Sequence, residues 1–229
     1  MNGWLILHKP PGISSAKAVF MVKKTIQPQK IGHGGTLDPL ASGVLPLALG
    51  EATKVCGFML NTHKAYEFTL TWGEKRDTDD AEGCVLATST KRPSEKDILA
   101  CLLFFKGHTT QTPPLYSAIK IQGKRACDRM RAGECLSLKE RAIVIHDLVL
   151  KEFDKNQATF YVKCSKGTYV RALARDMAEF LGTYGYIAAL KRIEAGKFHI
   201  NEAISIEELA KYHEKGLLRK YIRPIHSVL

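Results

Sequence analysis

No apolar run in this chain approaches the roughly 20 residues that a membrane-spanning helix needs, which excludes a helical membrane protein. The opening Met1-Asn2-Gly3-Trp4-Leu5-Ile6-Leu7-His8-Lys9 has no basic segment ahead of its apolar stretch, so it does not read as a secretory leader. A cytoplasmic location is the default expectation. The six cysteines, Cys56, Cys84, Cys101, Cys127, Cys135 and Cys164, contain no C-x-x-C pair, and the eight histidines form no cluster of metal-ligand spacing. A zinc site and a thioredoxin-like centre therefore lack support, and no metal is expected. Internal repeats, low-complexity tracts and a clear linker are missing too. Acidic residues are in deficit, 23 Asp and Glu against 34 Lys and Arg, for a formal charge of +11. That excess favours a polyanionic partner without separating RNA from DNA or from a membrane surface.

What is present suffices for a folded core. The chain has 229 residues, 45% hydrophobic and 25% charged, compatible with one large domain or two small ones. Strands are expected at residues 3–8, 44–48, 65–72, 117–121 and 186–193, with a hairpin from Ile143–Leu150 to Ala158–Val162 around Asp154-Lys155-Asn156. Helices are expected after Ser14 or Ser15, with Ala16, Val19 and Phe20 as their apolar face; over Glu51–Leu60; after Ser94 to about Phe104; from Thr168 with Val170, Leu173, Ala174, Met177 and Leu181 inward; and from about Ser205 to Tyr212. Strands outnumber helices and are often joined as hairpins, which indicates an α+β fold with a mixed, largely antiparallel sheet flanked by helices and loops. Residues 122–140 carry Lys124, Arg125, Arg129, Arg131 and Lys139 with little periodicity, as an exposed basic insertion would.

The chemically suggestive segment is Gly32-His33-Gly34-Gly35-Thr36-Leu37-Asp38-Pro39-Leu40-Ala41-Ser42-Gly43-Val44-Leu45. Its glycines permit φ > 0 and close approach to a ligand, while Pro39 biases Asp38 toward an extended conformation. Local chemistry alone leaves two readings: a rigid loop presenting one carboxylate, or a tight turn in which Asp38 bonds its own backbone, the better of the two without further information.

This segment resembles the nucleophile motif of bacterial tRNA pseudouridine-55 synthases, the TruB family, at every fixed position of Gly-His-x-Gly-x-Leu-Asp-Pro-x-Ala-x-Gly-x-Leu. Four further segments agree in order: His8-Lys9-Pro10-Pro11-Gly12-Ile13-Ser14-Ser15; Lys64-Ala65-Tyr66-Glu67-Phe68; Thr112-Pro113-Pro114-Leu115-Tyr116 through Arg131-Ala132-Gly133; and Lys166-Gly167-Thr168-Tyr169-Val170-Arg171. The resemblance implies the pseudouridine-synthase fold, with Asp38 as nucleophile and Tyr66 and Arg171 as its catalytic companions. Tyr66 would stack on the flipped uracil, and Arg171, a cation at a helix start, would keep Asp38 ionised and oriented. His33, Tyr169 and Leu190 would bind the substrate nucleotide. Lys120, Lys124, Arg125, Arg131, Lys191 and Arg192 would contact RNA. Asp77 and Asp80 read as turn caps. Two residues depart from the family pattern: Arg76, where a small polar residue is usual, and Cys127, where an aromatic is.

The implied reaction is isomerisation of uridine 55 in the T loop of tRNA, by a monomer that needs neither cofactor nor protein partner. The same resemblance implies one catalytic domain over residues 1–229, a basic RNA-binding insertion near 112–141, and no C-terminal RNA-binding domain, with more salt-sensitive binding as a result. The rivals are a uracil-directed N-glycoside hydrolase, which would want a second carboxylate, and a non-catalytic RNA-binding protein.

Overall fold

The computed structural model describes residues 1–228, which divide into two compact units: Met1–Glu67 with the chain from Leu190 onward, and Phe68–Ala189. The first unit opens with β1 (Gly3–Lys9), α1 (Ser15–Ile26), β2 (Ile31–His33) and β3 (Ser42–Leu49). β1 and β3 pair antiparallel in unbroken register, from Gly3 opposite Leu49 to Lys9 opposite Gly43. Both read as continuous apolar runs rather than alternations because nearly every residue is buried. Trp4, Ile6, Val44, Ala48, Met59 and Phe198 form the core beneath them.

Ser14 caps α1 by accepting from the Lys17 amide. The buried face of α1 is Ser15, Ala18, Val22 and Ile26, and not Ala16, Val19 and Phe20; Phe20 is 59% exposed. The expected stripe was out of phase because small Ser15 and Ala18, which allow close packing, carry little hydrophobic signal. The helix expected over Glu51–Leu60 is a 3₁₀ turn, Gly50–Val55, running into α2 (Cys56–Leu60).

β4 (Lys64–Trp72) carries the chain into the second unit. There β5 (Glu74–Arg76) and β6 (Val85–Thr88) close the acidic turn as a hairpin. α3 (Glu95–Phe105) starts at a Ser94–Asp97 capping box. β7 (Gly107–Gln111) lacks apolar alternation and was not expected; it pairs with β10 (Arg141–Phe153), which also pairs with β11 (Gln157–Cys164) as the expected hairpin. Of the strand expected over 117–121, only β8 (Lys120–Ile121) forms, paired with β9 (Lys124–Arg125). The Ser117 and Ile119 carbonyls instead accept from Cys127 and Ala126, the opening amides of α4 (Ala126–Arg131). Six residues without an apolar repeat left that helix unexpected.

α5 (Val170–Phe180) buries Val170, Leu173, Ala174 and Met177, as its spacing predicts. β12 (Gly185–Ala195) returns to the first unit, which ends with β13 (Phe198–His199), α6 (Ile206–Glu214) and β14 (Ile222–Arg223). In the first unit the strand order is β14-β1-β3-β12, and in the second β12-β4-β11-β10-β7. Pairing is antiparallel for β1–β3, β1–β14, β7–β10 and β10–β11 and parallel for β3–β12, a mixed and largely antiparallel arrangement.

Candidate active site

The Asp38 loop leaves β2, turns, and enters β3. Asp38 and Pro39 occupy the first two positions of a β-turn closed by the Ala41 amide on the Asp38 carbonyl. The residues on both sides of Asp38 are pinned from the end of β1 and the segment that follows it. On one side the buried Ser15 hydroxyl donates to the Leu37 carbonyl at 2.9 Å and accepts from the Leu37 amide at 2.8 Å. On the other, the Pro39 carbonyl accepts from the Gly12 amide at 2.9 Å and from Lys9 Nζ at 3.2 Å. Lys9 is fully buried and also donates to the Pro10 and Ile13 carbonyls at 2.8 and 2.7 Å. The His8–Ser15 segment thus braces the carboxylate-bearing turn. Lys9 was missed as a brace, and its signal was a lysine closing an otherwise apolar strand.

The glycines divide their work. Gly35 takes φ +138°, whereas Gly34 has an ordinary φ and is required because a Cβ there would meet Met59. Gly43, at φ +101°, lets β3 approach the Arg192 backbone where β12 lies beside it.

Arg192 is a correction. Expected on the RNA surface, it is only 1% exposed. Its Nε donates to the Val44 carbonyl at 2.7 Å, Nη2 to Gly35 at 3.0 Å and Nη1 to Thr36 at 3.3 Å. The guanidinium bonds the Gly35 and Thr36 carbonyls of the glycine-rich loop and the Val44 carbonyl of β3, and so ties the loop to β12. Lys191, its neighbour, is exposed, as alternation along a strand requires. Leu190 is buried, and its carbonyl accepts from the Ser42 hydroxyl at 3.5 Å. His33 ends β2 opposite Leu47. Burial, then the Arg192 charge, lowers its pKa below the usual 6.5, so the imidazole is neutral at physiological pH. Tyr66 is half-buried on β4, in a same-face row whose other members, Lys64, Phe68, Leu70 and Trp72, are buried.

Tyr169 and Arg171 belong to the second unit. Tyr169 precedes α5, and the buried Gln111 amide holds its backbone at both groups: Tyr169 N–H donates to Gln111 Oε1 at 2.9 Å and Gln111 Nε2 donates to the Tyr169 carbonyl at 3.1 Å. The Arg141 guanidinium lies 4.6 Å from the centre of its ring. Arg171 is 4% exposed. It donates to the Thr78 carbonyl at 2.7 Å and the Tyr116 carbonyl at 2.9 Å, and its Nε lies 3.5 Å from Asp80 Oδ2. Asp80 therefore does more than cap its turn, though it does that too, accepting from Thr78 Oγ1 at 2.6 Å and the Glu82 amide at 3.0 Å. Asp77 caps the Cys84 amide at 2.8 Å. The unusual Arg76 stacks on Tyr186 at 4.0 Å and pairs with Glu74, closing the same hairpin. Gln111 and Asp80 carried no sequence signal of these roles, since both partners lie far away along the chain.

Lys120, Lys124, Arg125 and Arg131 are exposed, as expected. A cavity of about 500 Å³ is lined by Lys120, Lys124, Arg125 and Arg129, with Asp128 and Glu134 paired to two of these cations.

The fold that carries this β-turn carboxylate also appears among solved structures. A Cbf5–Nop10–Gar1 complex matches 99% of this chain and 61% of the solved chain, with a TM-score of 0.77 and 28% identity. An H/ACA ribonucleoprotein bound to a substrate RNA containing 2′-deoxyuridine matches with a TM-score of 0.76 and 26% identity, over 99% and 60% of the two chains. The chain belongs to the TruB family of pseudouridylate synthases: the model of that family's N-terminal domain matches residues 23–170, and that of the tRNA pseudouridylate synthase B C-terminal domain residues 171–229. tRNA pseudouridine synthase B of Zymomonas mobilis is 50% identical over the whole chain and 77% of the relative. Its namesakes in Bradyrhizobium diazoefficiens and Rhodopseudomonas palustris are 48% and 47% identical, with 68% and 64% of their length spanned.

Proposed function

We propose that this protein converts uridine to pseudouridine in tRNA, at position 55 of the T loop, with Asp38 as nucleophile. The observation that carries this reading is the bracing of Asp38, whose flanking residues Leu37 and Pro39 are tied to Ser15, Gly12 and Lys9. A carboxylate so held keeps a fixed aim without reorganisation during reaction. The relatives at about half identity, each named a tRNA pseudouridine synthase B, support the substrate class.

The target uridine leaves its stack at a cost of a few kcal/mol, and stacking on Tyr66 offsets about 1–3 kcal/mol of this. Asp38 attacks the ribose or the base, or takes a proton to give a glycal. In each route the N1–C1′ bond breaks, the uracil rotates, a C5–C1′ bond forms, C5 releases its proton to water and N1 is protonated. Atoms and electrons balance within the nucleotide, so the chemistry calls for no cofactor. The family pattern makes Arg171 the cation serving this carboxylate, places Tyr169 and Leu190 against the nucleotide, and gives His33 either the space left by the flipped base or a hold on the flipped nucleotide. Lys120, Lys124, Arg125, Arg131 and Lys191 would grip the arm, with the protein acting as a monomer on its own.

The test uses T-arm RNA tritiated at uracil C5. Release of tritium into water with no free uracil is the expected result. Free uracil would mean hydrolysis, and RNA binding with neither product would reduce the protein to a binding module.

A further inference from the structure

Arg171 and Arg175 sit one helical turn apart on α5 and reach the same two segments. Arg171 donates to the Thr78 and Tyr116 carbonyls. Arg175 donates through Nη1 to Asp79 Oδ2 at 3.1 Å and through Nη2 to the Thr112 carbonyl at 2.8 Å, while its Nε holds Asp176 at 2.9 Å. The acidic turn is therefore clasped residue by residue: Thr78 and Asp80 by one arginine, Asp79 between them by the other. The stretch that leads into the basic insertion is clasped at Thr112 and Tyr116 by the same pair.

Asp79 occupies a costly position. It is a non-glycine residue at φ +60° and only 8% exposed. Left-handed backbone in a non-glycine residue and a desolvated carboxylate are both unfavourable, and the fold keeps them at one residue. The left-handed turn sends Asp79 toward Arg175 while Asp80 faces Arg171, and the Asp79 carbonyl is itself fixed by the Ile187 amide at 3.1 Å.

We propose that Asp79 and Arg175 form a positioning pair for the reaction, holding the Thr78 carbonyl so that Arg171 is aimed correctly. This rests on the reading of Arg171 as the charge partner of Asp38. The pair acts through Arg171 and touches no substrate. The charged groups facing Asp79 are Arg175, Arg171 and Asp176 from α5 and Lys75 from β5. Burial, opposed by the two arginines, raises the Asp79 pKa from 3.8 to about 6. Its carboxylate form, the one that grips Arg175, is thus lost just below neutrality. The sign separates positioning from glue. A carboxyl whose folded pKa is raised favours the fold when protonated, so acidification removes the grip without Asp79 lowering stability.

The experiment follows tritium release from C5-labelled T-arm RNA from about pH 5 to about 8 in the wild type, Asp79→Asn and Arg175→Met, with thermal melts alongside. In the wild type, kcat is expected to fall about tenfold in all as pH drops through about 6 and to level off at the activity of Asp79→Asn; melts of both proteins at each pH separate this fall from the acid destabilisation expected of His33. Asp79→Asn should lower kcat about tenfold near neutrality at unchanged KM, lack the acid limb, and melt no lower than the wild type; misplacement of a catalytic group readily costs that much. Asp79→Asn plus Arg175→Met should be no worse than either alone. Wild-type kcat together with an intact acid limb in Asp79→Asn overturns the pair. An activity-independent arm follows exchange of the Arg171 Nε–H in protein with isotope-labelled arginine. If the wild type releases no tritium, the functional reading fails. In that case faster exchange in Asp79→Asn still supports the clasp, and unchanged exchange overturns it.

Discussion

At the scale of single residues, a basic residue's burial separates two kinds of work. Arg192 and Lys191 are adjacent and chemically alike, yet one donates to two carbonyls of the glycine-rich loop and one of β3, and the other faces solvent. Arg192→Met leaves the buried Val44 and Gly35 acceptors without their cation, and a loss of about 2–5 kcal/mol in a denaturant titration is expected. The salt dependence of RNA binding should be unchanged in that variant. His33 gives a pH signature. Its folded pKa lies below the usual 6.5, so the native state binds fewer protons than the unfolded chain just below that value. Stability contributed by neutral His33 is therefore present above pH 6.5 and is lost as pH falls. His33→Gln should flatten this dependence in unfolding curves collected across the same range. Reading residues from sequence succeeded where a local pattern existed: Ser14 and Ser94 as caps, Gly35 at positive φ, Asp77 as a turn cap. It failed for Arg192, because the identity of a strand residue does not reveal which face of the strand meets unpaired carbonyls.

At the scale of elements, long apolar or amphipathic segments were legible and short polar ones were not. β1, β3, β4, β10, β11, α5 and α6 follow from runs, alternation or a clear stripe, because burying those side chains is what forms them. β7 and α4 follow from bonds to partners elsewhere: β7 from its ladder with β10, α4 from the carbonyls of Ser117 and Ile119. No property of five or six polar residues encodes that. In the first unit the Asp38 turn was visible as a motif, but its bracing by Lys9 and Ser15 depends on tertiary meeting, as does the Asp80–Arg171 contact in the second unit. The basic insertion, from β8 to α4, carries a prediction of its own. Lys124→Gln and Arg131→Gln should each make the plot of log affinity against log salt shallower by about one unit. KM should rise with kcat at saturation unchanged, because these side chains are assigned to phosphates and not to the reacting base.

At the scale of the whole molecule, the charge of +11 and the placement of the site describe two separate tasks. Net charge brings a polyanion to the surface at a rate that salt suppresses. In the proposed reading, selection and chemistry fall to Asp38 and the residues that the family pattern assigns to it, and a shared fold alone would not assign them. Membership of the TruB family supplies the reaction class, and the structure supplies a physical reason for Asp38 to hold its aim. The most direct measurement compares wild type and Asp38→Asn, matched for melting temperature, on T-arm RNA tritiated at uracil C5. The account predicts stoichiometric tritium release by the wild type, with no free uracil and unchanged RNA mass, and no release by Asp38→Asn. A folded Asp38→Asn protein that releases tritium at the wild-type rate would contradict it.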